Sequence, residues 1–158
     1  MSGSNGVEWN LNTQLMHESD DVYAKLTKYQ PTTNVPSKCS EEKLRNLWDP
    51  ETSFDVHNRD QGIHANLFLM NSFASKHGAD TKTGGLTSTG TTVGECKLFS
   101  TLHSLTMIEP RVLDNYSKLG VFYEGFLERK ETREVLEGGQ FHKYFIKPLD
   151  RSSQIASK

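Results

Sequence analysis

The sequence has few cysteines, which are abundant in small extracellular proteins, and none of the long apolar runs that membrane-spanning helices need. Its two cysteines, Cys39 and Cys96, are too few for a disulfide framework or a cysteine-rich zinc site. No apolar run approaches the roughly 18 residues that a membrane-spanning helix needs. The chain carries 18 Lys and Arg against 20 Asp and Glu, so it lacks the positive charge that attracts nucleic acid. We therefore expect no nucleic-acid partner and no membrane association.

The amino-terminal residues do not have the pattern of a secretory signal peptide. Residues 1–6 contain no basic region and no apolar segment follows them, so we expect no signal peptide here. Because cysteines are so few, the chain is typical of a reducing compartment, and we expect a cytoplasmic protein. A chain of 158 residues is long enough for one domain with its own apolar core.

The common catalytic and cofactor-binding motifs are missing. There is no P-loop, no dinucleotide-binding glycine fingerprint, no His-Glu-x-x-His and no pair of Cys-x-x-Cys sequences. A metal site formed by Asp55, His57 and His64 is conceivable, but the spacing matches no metal-binding motif. We therefore predict no catalytic residue in this chain, no metal and no bound cofactor.

Apolar residues at helical spacing are what the sequence does contain. They recur three and four positions apart along most of the chain, and no segment alternates with a period of two. The predicted helices cover about 13–30, 41–48, 63–77, 93–109 and 113–127, and a further short helix contains Val135 and Leu136 and is closed by Gly138 and Gly139. The predicted fold class is therefore all-α, a bundle of five to six helices within residues 13–149.

The remaining segments are predicted to be irregular. We expect a flexible lead-in at 1–12, loops at 49–60 and 79–91, and a tail at 150–158. The fourth predicted helix begins with a capping box, in which Thr92 and Glu95 each accept a hydrogen bond from the other's backbone amide. Cys96 follows in the first turn, where it could be an activated nucleophile, but its place in the apolar stripe favours the core.

Three runs in the second half of the chain occur in a characteristic order. They are Thr-Val-Gly-Glu-Cys-Lys-Leu-Phe at 92–99, Asp-Asn-Tyr-Ser-Lys-Leu at 114–119 and Phe-Leu-Glu-Arg-Lys-Glu-Thr-Arg-Glu-Val-Leu at 126–136. In this order and at this spacing they resemble the carboxyl-terminal helical domain of glutathione transferases, best over residues 92–149. That family usually has Asp where this chain has Glu95. Residues 13–77 resemble the first two long helices of that domain in pattern only.

The resemblance implies a function and a set of site residues. In the family, this domain supplies the acceptor-substrate pocket and much of the dimer surface, and glutathione is a co-substrate rather than a cofactor. Glutathione itself binds mainly to a thioredoxin-like domain, which we do not find in this sequence. By resemblance, the acidic group that reaches the ammonium of glutathione is Asp20 or Asp21. The residues implied for the acceptor pocket are Met16, Tyr23, His103, Phe141 and Phe145.

Two further interpretations remain open. Helical domains of this kind also occur as non-catalytic interaction modules in translation-factor and tRNA-synthetase assemblies, and the chain could be such a module. It could instead be an unrelated helical bundle. The transferase interpretation and the interaction-module interpretation both imply a homodimer or a partner that contains a thioredoxin-like domain. A small electrophilic substrate is implied only by the transferase interpretation.

Overall fold

The structure, a computed structural model, describes residues 6–29, 41–53, 62–77, 85–87 and 90–138. The helices in these ranges are α1 (Gly6–Tyr29), α2 (Glu41–Trp48), α3 (Pro50–Ser53), α4 (Ile63–His77), α5 (Val93–Ile108), α6 (Ser117–Leu127) and α7 (Lys130–Glu137). The described ranges contain no strand, so the all-α prediction is confirmed. Helix α3 is a single turn inside the predicted 49–60 loop. None of the described helices is long and apolar enough to cross a membrane.

Helix α1 begins earlier than the sequence pattern predicted. It starts at Gly6, whereas we expected a flexible segment up to Thr13. The added turns contain Leu11, which is buried one turn before Leu15, and Glu8, an acidic residue in the first turn. Negative charge at this end favours the helix dipole, and the apolar contact extends the buried stripe. The lead-in prediction is therefore wrong for residues 6–12.

Helix α6 begins later than predicted. The apolar spacing suggested a helix from Leu113, but a turn occupies 110–115 and α6 starts at Ser117. Asn71 of α4 stabilises this start, because its Oδ1 accepts hydrogen bonds from the amides of Lys118 and Leu119 at 3.0 and 3.2 Å. Amides in the first turn of a helix have no partner within the helix. A side chain distant in sequence therefore decides where α6 begins.

Helices α4 and α5 form the middle of the described bundle, since both pack on α1 and on α6. Helix α5 has its most extensive contact with α1, α4 also packs on α2 and α3, and α7 packs on α6. Half of α5 is buried, as expected for a helix that is apolar on most sides. Most of the core is formed by apolar residues of α1, α4, α5 and α6, namely Leu11, Leu15, Val22, Leu26, Ile63, Leu67, Met70, Ala74, Leu98, Phe99, Leu102, Leu105, Leu119, Phe122 and Phe126. Leu47 of α2 and Leu86, Val112 and Tyr116 outside the helices complete it.

Helices α1 and α5 come into close backbone contact at Gly94. The Gly94 amide donates to Oδ1 of Asn12 at 2.5 Å. A Cβ atom at position 94 would lie 2.6 Å from the backbone oxygen of Asn12, closer than real Cβ atoms come to other heavy atoms. The Asn12–Gly94 contact therefore requires glycine, because backbone cannot move aside as a flexible side chain can.

A polar tie joins α1 to α4 near the other end of α1. Lys25 donates to Oδ1 of Asn66 at 2.7 Å and to the Gly62 carbonyl at 3.2 Å. Asn66 in turn donates to Glu18 at 2.8 Å. Burial lowers the pKa of Lys25, although the charges of Asp21 and Glu18 oppose this effect. The tie fixes α1 and α4 in register where apolar packing alone would allow sliding.

We predict that Gly94→Ala destabilises the fold by about 1–3 kcal/mol, because α1 and α5 must separate to admit the methyl group. Urea denaturation followed by circular dichroism measures the free energy of unfolding. The matched control is Gly120→Ala in α6, where no atom outside the adjoining helix backbone lies within 4 Å of the added Cβ. We expect it to be neutral or to stabilise by up to about 1 kcal/mol, since alanine favours helix. Equal effects of the two substitutions would contradict the close-approach interpretation.

Candidate functional site

The predicted capping box at the start of α5 is present. The Thr92 amide donates to Oε2 of Glu95 at 2.8 Å, and the Glu95 amide donates to Oγ1 of Thr92 at 3.3 Å. The side chain of Glu95 has no solvent exposure. A buried carboxylate is costly unless hydrogen bonds replace its lost hydration. The surroundings of Glu95 therefore have to provide donors.

Those donors come from the segment before the helix. The Leu86 amide donates to Oε1 of Glu95 at 2.5 Å, and the hydroxyls of Thr87 and Thr92 donate to Oε2, each at 3.2 Å. Gly90 adopts a φ of 99° between them, a conformation that favours glycine. The Thr- and Gly-rich sequence predicted a flexible loop at 79–91, but Glu95 holds its described residues against α5. Neither Leu86 nor Thr87 belongs to a recognisable capping motif.

Three of the predicted site residues form a row along one side of α1. Met16, Asp20 and Tyr23 are four and three positions apart and therefore share a helix face. We call these residues the α1 row. Met16 is partly buried, whereas 48% of Tyr23 is exposed. The row is amphipathic, with an apolar or aromatic side chain at each end and a carboxylate between them.

The carboxylate of the α1 row is bound to α5. Asp20 forms an ion pair with Lys97, and both side chains are partly open to solvent. Asp21, the other predicted glutathione-binding residue, is exposed on the same helix, and its charge acts on Lys25. Exposed ion pairs contribute about 0–1 kcal/mol, so an incoming ammonium group could replace Lys97 at small cost.

His103 does not join the α1 row. On α5 it lies six residues after Lys97, which places the two side chains about 120° apart around the helix axis. Its Nδ1 lies 2.9 Å from the Tyr123 hydroxyl of α6, and its ring stacks on Phe99. Within the described residues His103 is therefore part of the α5–α6 contact. Phe141 and Phe145, the remaining predicted pocket residues, lie outside the described residues.

The α5–α6 contact is an aromatic cluster that we did not predict. Phe99 stacks on Phe126 at a centroid distance of 4.9 Å and on Tyr123 at 5.6 Å. The guanidinium of Arg129 lies 3.8 Å from the Phe126 centroid and donates to the Thr91 hydroxyl at 2.5 Å. The cluster joins the start of α7 to the segment before α5. Helical spacing indicated the aromatic positions, but it could not show that rings from two helices meet.

Cys96 is exposed, so the prediction that it packs in the core is wrong. It directly follows Glu95, whose side chain is buried, and the next position in a helix points to a different side. The pKa of its thiol is raised by loss of hydration and by the charge of Glu95, although Arg129 opposes this shift. A raised pKa reduces the thiolate fraction and hence the reactivity. Among the described residues no cluster of three His, Cys, Asp or Glu could hold a metal ion.

Comparison with known proteins does not supply an assignment. No family model matches the chain, and neither curated proteins nor solved structures give a match. A functional hypothesis therefore has to be supported by the α1 row, the buried capping box and the contacts between α1 and α5.

We predict that Glu95→Gln destabilises the protein by about 2–3 kcal/mol, because hydrogen bonds to a charged acceptor are lost and an amide group faces buried donors. Thermal and urea denaturation measure this loss. Glu124→Gln, an exposed position on α6, is the control and should change stability by less than about 0.5 kcal/mol. A Glu95→Gln variant as stable as the control would show that the buried charge is dispensable.

Proposed function

We propose that this chain is a glutathione transferase-like helical domain that provides the acceptor-substrate pocket and a dimer surface for conjugation of glutathione to electrophiles. The α1 row is the observation on which the proposal rests. It brings Met16, Asp20 and Tyr23 together on one side of α1, and these are three of the residues implied by the resemblance. The catalytic thioredoxin-like part is not among these residues in the proposal.

The chemistry of the α1 row fits both parts of such a substrate. Met16 and Tyr23 offer apolar and aromatic contact to an electrophile, since ligand pockets are mostly apolar with a few polar groups. Asp20 offers a carboxylate to the ammonium of glutathione, which would exchange with Lys97. The helical domain would thus contribute by positioning the electrophile beside the thiolate. It would not activate the thiol itself.

The capping box at the start of α5 also supports the proposal, because it concerns the fold that the resemblance implies. Thr92 and Glu95 occupy the positions that the resemblance implies, and both partners of the box are hydrogen-bonded. The start of α5 determines where Lys97 meets the α1 row, because Gly94 contacts Asn12 and Lys97 forms an ion pair with Asp20.

An interaction module is the second candidate function, and it is favoured by exposed apolar residues at the same end of the bundle. Val7 and Trp9 in the first turns of α1 are 64% and 53% exposed, and Val93 in the first turn of α5 is 53% exposed. Val7 and Trp9 are two positions apart and so face different sides of α1, but exposed apolar side chains at one end of a bundle are candidate contacts for a partner protein. A homodimer or a partner containing a thioredoxin-like domain would cover them.

The apolar part of the proposal is tested by equilibrium dialysis of the full chain with 2,4-dinitrotoluene, an unreactive analogue of a dinitrophenyl electrophile. We expect saturable binding that the double substitution Met16→Ala and Tyr23→Ala weakens about fivefold or more, a loss of about 1 kcal/mol. Val135→Ala is the matched control, because Val135 is 47% exposed on α7, which packs on α6. Equal weakening by both changes, or no binding at all, would contradict a pocket at the α1 row.

The polar part is tested by chromatography of the full chain on immobilised glutathione. We expect retention that decreases when Asp20 and Asp21 are both changed to Asn. Asp114→Asn removes a carboxylate of similar exposure, also ion-paired, and should leave retention unchanged. Absence of retention, together with absence of dinitrotoluene binding, would overturn the transferase proposal and favour the interaction module.

A further inference from the structure

The buried imidazole of His64 connects three elements of the bundle. His64 is in the first turn of α4 and is 6% exposed. Its Nδ1 lies 2.8 Å from the Tyr116 hydroxyl, just before α6, and its Nε2 lies 3.2 Å from the carbonyl oxygen of Trp48, the last residue of α2. The Tyr116 hydroxyl also lies 3.3 Å from the backbone carbonyl oxygen of His64 itself. The hydroxyl therefore has two acceptors within reach.

Hydrogen-bond donors and acceptors can be matched here in two ways. A carbonyl can only accept, so Nε2 must carry a proton in order to bond Trp48. In a neutral ring Nδ1 is then an acceptor, and the Tyr116 hydroxyl donates to it. In a charged ring Nδ1 also carries a proton and donates to the hydroxyl oxygen of Tyr116. The hydroxyl proton is then free to turn towards the His64 carbonyl. Neither arrangement leaves a ring nitrogen without a partner.

The groups around His64 act on its charge in opposite directions. Burial lowers the pKa of His64, whereas the Trp48 carbonyl and the Asp49 carboxylate raise it. The positive end of α4 disfavours a cation, and the carboxyl-terminal end of α2 favours one. From α1, the described residues contribute the ammonium of Lys25, which is bonded to the carbonyl of Gly62. From the segment before α6 they contribute the neutral hydroxyl of Tyr116.

We propose that His64 and Tyr116 form a proton-operated relay between α2, α4 and α6. The Tyr116 hydroxyl donates to Nδ1 of the neutral ring, and it donates to the His64 carbonyl oxygen once Nδ1 is protonated. The contact between the three elements is kept in both states, while the direction of one hydrogen bond reverses. The relay does not depend on the α1 row or on the proposed function.

The relay has a defined effect on stability against pH. Because the pKa of His64 is lower in the folded than in the unfolded chain, the unfolded state takes up its proton first as the pH falls. The contribution of His64 to stability is therefore fully present above its pKa in the unfolded chain. It is lost as the pH falls through its pKa in the folded chain. The second acceptor of Tyr116 limits this loss, because the imidazolium finds its hydrogen bonds already in place.

Nitrogen-15 NMR of the imidazole rings in the full chain tests the relay. At neutral pH we expect His64 as the Nε2–H tautomer, and on acidification as an imidazolium with the fold retained. Tyr116→Phe removes the acceptor for the second ring proton, so the pKa of His64 should be lower than in the parent chain. Tyr123→Phe, which removes the hydroxyl partner of His103, is the control and should leave the His64 titration unchanged.

Each outcome decides for or against the relay. The Nδ1–H tautomer in the parent chain at neutral pH would overturn it, and this measurement needs no variant to fold. A His64 pKa in Tyr116→Phe equal to or above that of the parent would overturn it as well. The Nε2–H tautomer together with a lowered pKa in Tyr116→Phe alone would support it.

Discussion

The amino-terminal end of the described bundle depends on a buried negative charge. Glu95 has no contact with solvent, so its hydration must be replaced by hydrogen bonds, and these come from Leu86, Thr87 and Thr92. The donating amides of Leu86 and Thr92 lie outside the helix, whereas the Thr87 hydroxyl also has the Gly90 carbonyl oxygen within reach at 2.7 Å. The charge therefore folds the preceding segment onto α5 and fixes the residue at which the helix begins.

The position of α1 follows from that starting point. With α5 begun at Val93, the amide of Gly94 faces Asn12, and the absent side chain lets the two backbones meet. One turn further, Lys97 reaches Asp20 and lies beside the α1 row. The contact between Asn12 and Gly94, one turn before the α1 row, thus helps to position the residues proposed to contact substrate. The hydrogen bond between Lys25 and Asn66 holds α1 against α4.

The sequence predicted those features that neighbouring residues determine. The bounds of α4, the start of α5 and the capping box of Thr92 and Glu95 all depend on residues within one or two turns, and all are confirmed. It did not predict the start of α6, because the deciding group, Asn71, is on another helix. The sequence also did not predict that Cys96 is exposed or that His103 lies away from the α1 row. Both depend on which helix packs against each face of α5. The relay at His64 joins residues far apart in sequence, so spacing could not indicate it.

The contacts between α1 and α5 progress in the same direction along both helices, from Asn12 with Gly94 to Asp20 with Lys97. The two helices are therefore parallel, and their positive dipole ends lie side by side, which is unfavourable for both. Two buried carboxylates, Glu8 in the first turn of α1 and Glu95 in the first turn of α5, are located at these ends. Their negative charges offset the repulsion between the aligned dipoles, so the acidity of this end is a condition for parallel packing.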